Sequence, residues 1–289
     1  MERPAADRAV RIGLALGGGG ARGLAHLAVL QAFDELGVKP DMIAGTSIGA
    51  LIGAAYAAGM TASDIQSYCK AAFARRGALL RHIYSRWRGR LWDYWRPGAA
   101  AVFNSEQIFQ LILPPDLPHS FEALRIPLAT VATDFYAQSE YVSRKGPLLP
   151  AVAASSALPA LLTPVKLDGR TLIDGGFVNP LPFDLLRPQT NFVIAVDVSG
   201  GPIEARTEAP RAVEALLGAQ QIALRSIINA KIKSGGPDIL IRPAVGQFRV
   251  LDFRRMDEIL AAARDAKESA TFALQDAQAR AHLRRMPLS

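Results

Sequence analysis

The chain has 289 residues, 50% hydrophobic and 20% charged, with a formal net charge of +7. That length and balance suit one large domain with a sizeable core, and exclude a disordered chain, a fibre or a disulfide-stapled miniprotein. The one cysteine, Cys69, cannot form an internal disulfide, and its place in "DIQSYCKAAF" suits a small packed residue on a helix.

The opening "MERPAADRAVR" is polar and lacks the apolar core of a signal peptide. It is read as a tail over residues 1–9, with a single domain over 10–289. "VRIGLAL" (10–16) is a short apolar run ending in glycines and predicts a buried strand. "LAHLAVLQAFDELG" (24–37) carries apolar residues at helical spacing and stops at Gly37. "DMIAGTS" (41–47) predicts a second strand. The Ala- and Gly-rich "IGALIGAAYAAGM" (48–60) predicts a buried helix, too short to cross a bilayer. A soluble, cytoplasmic protein is therefore expected. Thr61 and Asp64 form a capping box that opens a further helix. Asn104 caps another, ended by Pro114 and Pro115.

"IPLATVATD" (126–134) and "NFVIAVDVS" (191–199) are β-rich runs of the kind buried in parallel sheets. "VKLDGRTLID" (165–174) predicts a hairpin turning at Asp168-Gly169. "PDILIRP" (237–243) predicts a last strand, and helical patterns cover about 210–233 and 255–284. Strands alternating with helices imply an α/β fold with a mostly parallel sheet, whose ligands gather at the carboxyl ends of the strands.

At one such end stands "GGGGARG" (17–23), within which residues 18–23 read G-x-G-x-x-G. A dinucleotide site would need an acid at the end of the next strand to hold a ribose. Asp41 has about the right spacing but begins that strand, on the wrong edge of the sheet. At its end lies "GTSIG" (45–49), a G-x-S-x-G between strand and helix, which is the context of a nucleophile elbow. The turn would expose the Ser47 hydroxyl, Gly45 and Gly49 would allow the tight bend, and the following helix would aim its positive end at the same place. The neighbouring glycine loop can then line an oxyanion hole with its amides, with Arg22 adding a fixed positive charge.

A serine nucleophile needs a group to take its proton. None of the four histidines, His26, His82, His119 and His282, follows a strand as a triad histidine would, and each reads as a surface or packing residue. No histidine is spaced with another histidine, a cysteine or an acid as a metal site requires. Among the carboxylates Asp174 is the better candidate, ending a strand in "LIDGGF" beside two glycines. Asp168 reads as a hairpin turn. Asp134 and Asp197 also end strands, and hydrogen bonding to nearby loop backbone accounts for both.

The set G-G-G-A-R-G, G-T-S-I-G and D-G-G, in this order, resembles the patatin-like phospholipase family. "ASSALPALLTPV", "VATD", "DGGFVNPLP" and "AVDVS" extend the resemblance over about residues 10–200. It implies a three-layer sandwich around a mostly parallel sheet and a Ser–Asp dyad without histidine. Ser47 matches the family nucleophile and Asp174 its base. Gly18, Gly19, Gly20 and Arg22 match its oxyanion loop, while Gly17 stands where some relatives carry a polar residue. The resemblance implies a lipid or other acyl ester as substrate, with no cofactor and no metal. A thioesterase or acyltransferase using the same dyad is the alternative. A non-catalytic regulator and a nucleotide-binding oxidoreductase fit less of the pattern.

Residues 75–96, "RRGALLRHIYSRWRGRLWDYWR", hold all three tryptophans and seven arginines against the single acid Asp93. Basic and aromatic residues together suit the interface of an anionic membrane, so peripheral membrane contact is expected from Arg75 to Arg96. A solvated arginine face over packed tryptophans is the alternative. No nucleic-acid partner is expected.

Overall fold

The computed structural model describes residues 10–72, 103–159, 161–201 and 212–283. The stretch from Arg75 to Arg96, with its expected membrane contact, and the tail over 1–9 lie outside them. Eight strands form one sheet: β1 (Ile12–Leu16), β2 (Met42–Thr46), β3 (Leu128–Asp134), β4 (Ser139–Ser143), β5 (Val165–Leu167), β6 (Arg170–Asp174), β7 (Phe192–Val196) and β8 (Ile239–Ile241). The order is β5-β6-β3-β2-β1-β7-β8, with β4 also on β3. The pairs β1–β2, β1–β7, β2–β3 and β7–β8 are parallel, and those involving β4, β5 and β6 are antiparallel.

The helices are α1 (His26–Glu35), α2 (Ile48–Ala57), α3 (62–72), α4 (Ser105–Ile112), α5 (Leu148–Ser155), α6 (Ala212–Lys233), α7 (Met256–Ala262) and α8 (Arg264–Leu283). Successive side chains of a strand point to opposite faces, and β1 shows what each face buries. Leu14 and Leu16 join the core built with α1, α2 and α8, whereas Ala15 joins a second core with Leu181, Phe183, Leu186 and Ile228 of α6. Helices therefore cover both faces, and the three-layer sandwich follows.

The local signals act as expected. Gly37 ends α1 with φ of 63°. Thr61 and Asp64 cap each other's backbone amides reciprocally, at 2.9 and 3.1 Å. The Asn104 side chain accepts from the Gln107 amide at 2.9 Å. Asp168 and Gly169 both take positive φ, 49° and 73°, as a tight hairpin turn requires. Asp41 accepts the Ile12 amide at 2.6 Å, tying the start of β2 to the start of β1. The helical pattern over 255–284 is two helices rather than one, broken at Ala263.

The pairing along β3 positions the site. The first half of β3 pairs with β2, up to Thr46 opposite Val131. Beyond that point β6 pairs with β3 antiparallel, and its last residue, Asp174, lies opposite Ala132. The other edge of β3 is taken by β4 over Thr130–Asp134. So β2 and β6 share one edge of β3 and meet end to end. The residue leaving β2 is Ser47, and the residue ending β6 is Asp174.

Candidate active site

Ser47 sits between β2 and α2 with φ of 56° and ψ of −122°, outside the conformations an L-residue ordinarily adopts. Close packing enforces it. A Cβ on Gly49 would lie 2.1 Å from the Leu16 carbonyl oxygen, and one on Gly45 would lie 2.6 Å from the Ala50 nitrogen. The bend presses β1, β2 and α2 together at distances only glycine permits. The Ser47 amide, turned away from both strand and helix, donates to the Ser155 hydroxyl at 2.9 Å, and that hydroxyl donates to the Val131 carbonyl at 2.5 Å. Ser155, the last residue of α5, thus clamps the elbow to β3.

Asp174 is 4% exposed. Its amide donates to the Ala157 carbonyl at 3.0 Å, and its own carbonyl accepts from the Thr133 hydroxyl at 2.8 Å. The carboxylate takes two hydrogen bonds, from the Gly176 amide at 2.8 Å and from the Ser47 hydroxyl at 2.7 Å. Burial outweighs both and pushes the carboxyl up to about 6. The other strand-end acids are engaged as the sequence suggests. Asp134 accepts the Tyr136 and Ala137 amides and pairs with Arg170. Asp197 accepts the Ser199 amide and pairs with Arg242 at 3.0 Å.

The glycine loop lies against the elbow. A Cβ on Gly18 would stand 3.5 Å from the Ser47 Cβ. The sequence predicts the amides of Gly18, Gly19 and Gly20 as one set, and the structure divides them. The Gly18 amide donates to the Pro180 carbonyl at 2.9 Å, which commits it to the fold. Among the described residues no acceptor takes the Gly19 or Gly20 amide. The Ile48 amide, which no sequence motif marks as a donor, opens α2 and has no intrahelical acceptor, as at any helix start.

Arg22 is 1% exposed, and its Nε donates to the Gly19 carbonyl at 3.3 Å. Burial lowers its guanidinium to about 10, against the pull of Asp197, so it stays charged at neutral pH. In a trans peptide the C=O and N–H point opposite ways. Holding the Gly19 carbonyl therefore turns the Gly20 amide away from Arg22. Arg22 meets the loop from behind.

The segment after Asp174 locks both halves of the site together. The Thr46 hydroxyl donates to the Asn179 carbonyl at 2.7 Å, and the next carbonyl, of Pro180, holds Gly18. The Asn179 side chain is in turn held by Glu140, Asp184 and Lys231.

Of the histidines, His119 is exposed. His26 is fully buried and hydrogen-bonds the Gly17 carbonyl at 2.9 Å. His82 and the His282 side chain lie outside the described residues. Cys69 is partly buried, and burial pushes its thiol up to about 11. No group of three or more His, Cys, Asp and Glu side chains among the described residues could hold a metal ion. No helix among them is long and apolar enough to cross a membrane.

The family model for patatin-like phospholipases matches residues 14–187, a span that holds the glycine loop, the elbow and Asp174. The chain belongs to the patatin-like phospholipase family. An uncharacterized NTE family protein of Mycobacterium tuberculosis is 35% identical over 206 residues, 69% of this chain and 54% of that protein. The human patatin-like phospholipase domain-containing protein 6 is 29% identical over 276 residues, 86% of this chain and 19% of that one. The chain thus spans about half the length of the mycobacterial relative and about a fifth of the human one. Among solved structures, VipD from Legionella pneumophila is similar with a TM-score of 0.49 and 15% identity, covering 92% of this chain and 67% of that one.

Proposed function

We propose that this patatin-like phospholipase family member is a serine acyl hydrolase that cleaves carboxylic ester bonds of lipids, with Ser47 as nucleophile and Asp174 as its base. The observation that carries the reading is the 2.7 Å hydrogen bond from the Ser47 hydroxyl to a buried Asp174 carboxylate, made on a strained strand-to-helix turn. An ordinary aspartate, with a pKa of about 3.9, is a poor base for an alcohol. A carboxyl raised to about 6 is better matched to neutral pH while remaining mostly ionised there.

The Ser47 hydroxyl oxygen attacks the ester carbonyl as its proton passes to Asp174. The carbonyl oxygen becomes an oxyanion, for which the amides of Gly19, Gly20 and Ile48 are the available donors. Each such donor is worth about 10²–10³ in rate in other acyl-transfer enzymes. Collapse breaks the bond to the leaving oxygen, and Asp174 returns its proton to the departing alcohol. Water, deprotonated by Asp174, then attacks the acyl–Ser47 ester, and the serine leaves with the proton. Gly18 brings the loop against Ser47, and Arg22 sets the Gly19–Gly20 peptide and adds positive charge behind it.

The names of the relatives support lipid esters as the substrate class. Human patatin-like phospholipase domain-containing protein 6 and the Drosophila melanogaster neuropathy target esterase, 33% identical over 190 residues, are both similar to this chain. The test is a panel of phospholipids, lysophospholipids, acylglycerols and acyl thioesters, run on the wild type beside Ser47→Ala. Release of fatty acid from an ester lipid by the wild type alone is the expected result. Activity confined to thioesters would move the assignment to a thioesterase.

A further inference from the structure

We infer that His26 is a positioning residue for the oxyanion loop: its Nε2–H, donated to the Gly17 carbonyl, fixes the plane of the Gly17–Gly18 peptide on which the Gly19 amide is hung. The inference rests on the reading of that loop as the oxyanion hole. Residues 17–20 are four consecutive glycines, the least restrained backbone a chain can have. Left alone, the loop would spread its amides over many directions. A donor array pre-set for the oxyanion requires that this freedom be removed by outside contacts.

The contacts are specific. The Gly17 amide donates to the Val196 carbonyl at 3.0 Å, which continues the β1–β7 ladder by one residue. The next peptide is gripped from both sides. Its carbonyl, on Gly17, meets His26 Nε2 at 2.9 Å, and its N–H, on Gly18, meets the Pro180 carbonyl at 2.9 Å. Opposed bonds on one planar unit fix its rotation. Pro180 comes from the segment that follows Asp174, and His26 is the first residue of α1. The peptide is thus suspended between the dyad aspartate's own loop and the first helix.

The chemistry sets the protonation state. A carbonyl only accepts, so Nε2 must carry the hydrogen. The Nδ1 atom is buried with no hydrogen-bond partner among the described residues. A second proton there would have nowhere to bond, and the neutral Nε2–H tautomer is the form that fits. Burial holds the imidazole down to about 4, against the opposing pull of the Gly17 carbonyl and of Asp197, so the neutral form persists at pH 7. His26 is too deep to touch substrate. It is 0% exposed and reaches the site only through the loop.

The test compares His26→Gln and His26→Leu with the wild type on a short soluble ester and in the rate of fluorophosphonate labelling. The glutamine Nε2 can replace the imidazole donor, and leucine cannot. His26→Leu should lose about 10- to 100-fold in kcat and in labelling rate with KM changed less than about twofold, the range expected when oxyanion donors are misplaced. His26→Gln should stay within about threefold of wild type. Wild-type kcat in a folded His26→Leu protein overturns the inference, as does equal damage in both variants at equal thermal stability, which would assign His26 to packing. Nitrogen-15 NMR of the wild type needs no variant. A bare Nδ1 and protonated Nε2 at pH 7 are expected, and an Nδ1–H tautomer or an imidazolium would overturn the inference. Ser47→Ala in the same assay keeps the two readings apart. If it stays active the oxyanion reading itself falls, whatever His26 does.

Discussion

Replacing Asp174 with asparagine should abolish activity and at the same time stabilise the fold above neutral pH. Burial raises this carboxyl to about 6 in the folded chain, against about 3.9 when unfolded. Between those values the folded state binds more protons than the unfolded one, so stability falls as pH rises through the window. Below the lower value both states are protonated and the cost vanishes. Above the upper value the ionised, buried carboxylate costs about 3 kcal/mol. Asparagine removes the charge and keeps the contacts. Its carbonyl can accept the Gly176 amide, now 2.8 Å from Oδ1, and its amide can face the Ser47 oxygen, now 2.7 Å from Oδ2. Urea denaturation of both proteins at pH 8, 6 and 4 reads the difference. The variant should be more stable by about 3 kcal/mol at pH 8, with the gain shrinking to below about 1 kcal/mol at pH 4. A gain independent of pH, or a variant less stable than wild type at pH 8, would refute a charge held against burial.

The same carboxyl sets the pH profile: kcat/KM on a soluble ester should rise with one-proton slope through about pH 6 and then level off. Ser155→Ala leaves the Ser47 amide without its 2.9 Å acceptor, and should destabilise by about 1–3 kcal/mol in chemical denaturation, with a lowered kcat. Replacing Trp87, Trp92 and Trp95 with alanine should impair hydrolysis on anionic vesicles while sparing a short soluble ester. Vesicle flotation should weaken with salt, because exposed charges are screened over about 8–10 Å at physiological ionic strength.

How much of the site was legible depended on whether its constraints are local. The elbow is local: Gly45 and Gly49 each answer to a contact within about one turn, or to the strand beside it, and the pattern is readable from five residues. Asp174 was readable as a strand-ending acid beside glycines. Its meeting with Ser47 was implied by the family resemblance and not by the residues themselves, because it depends on β6 taking over the edge of β3 where β2 stops. The strand β4 was missed because "SEYVS" is a partly exposed edge with little apolar signal. The helix α5 was missed because it is apolar nearly all round and contains Pro150, tolerated in its first turn where no amide needs a partner. With α5 went Ser155, a serine that carries no mark of its role in the chain. The break at Ala263 falls in a run of alanines with neither glycine nor proline to signal it. His26 read as a packing residue because a histidine on an apolar helix usually is one. What sets it apart is the Gly17 carbonyl at 2.9 Å, nine residues back in the chain and visible only in the fold.

The most direct test of the central claim is covalent. The intact protein is treated with a fluorophosphonate, and its mass is compared with that of Ser47→Ala before digestion locates the adduct. One phosphonyl group on the peptide that carries Ser47, and none on the alanine variant with its fold intact, is the predicted result. An adduct on another residue, or equal labelling of Ser47→Ala, would contradict the account.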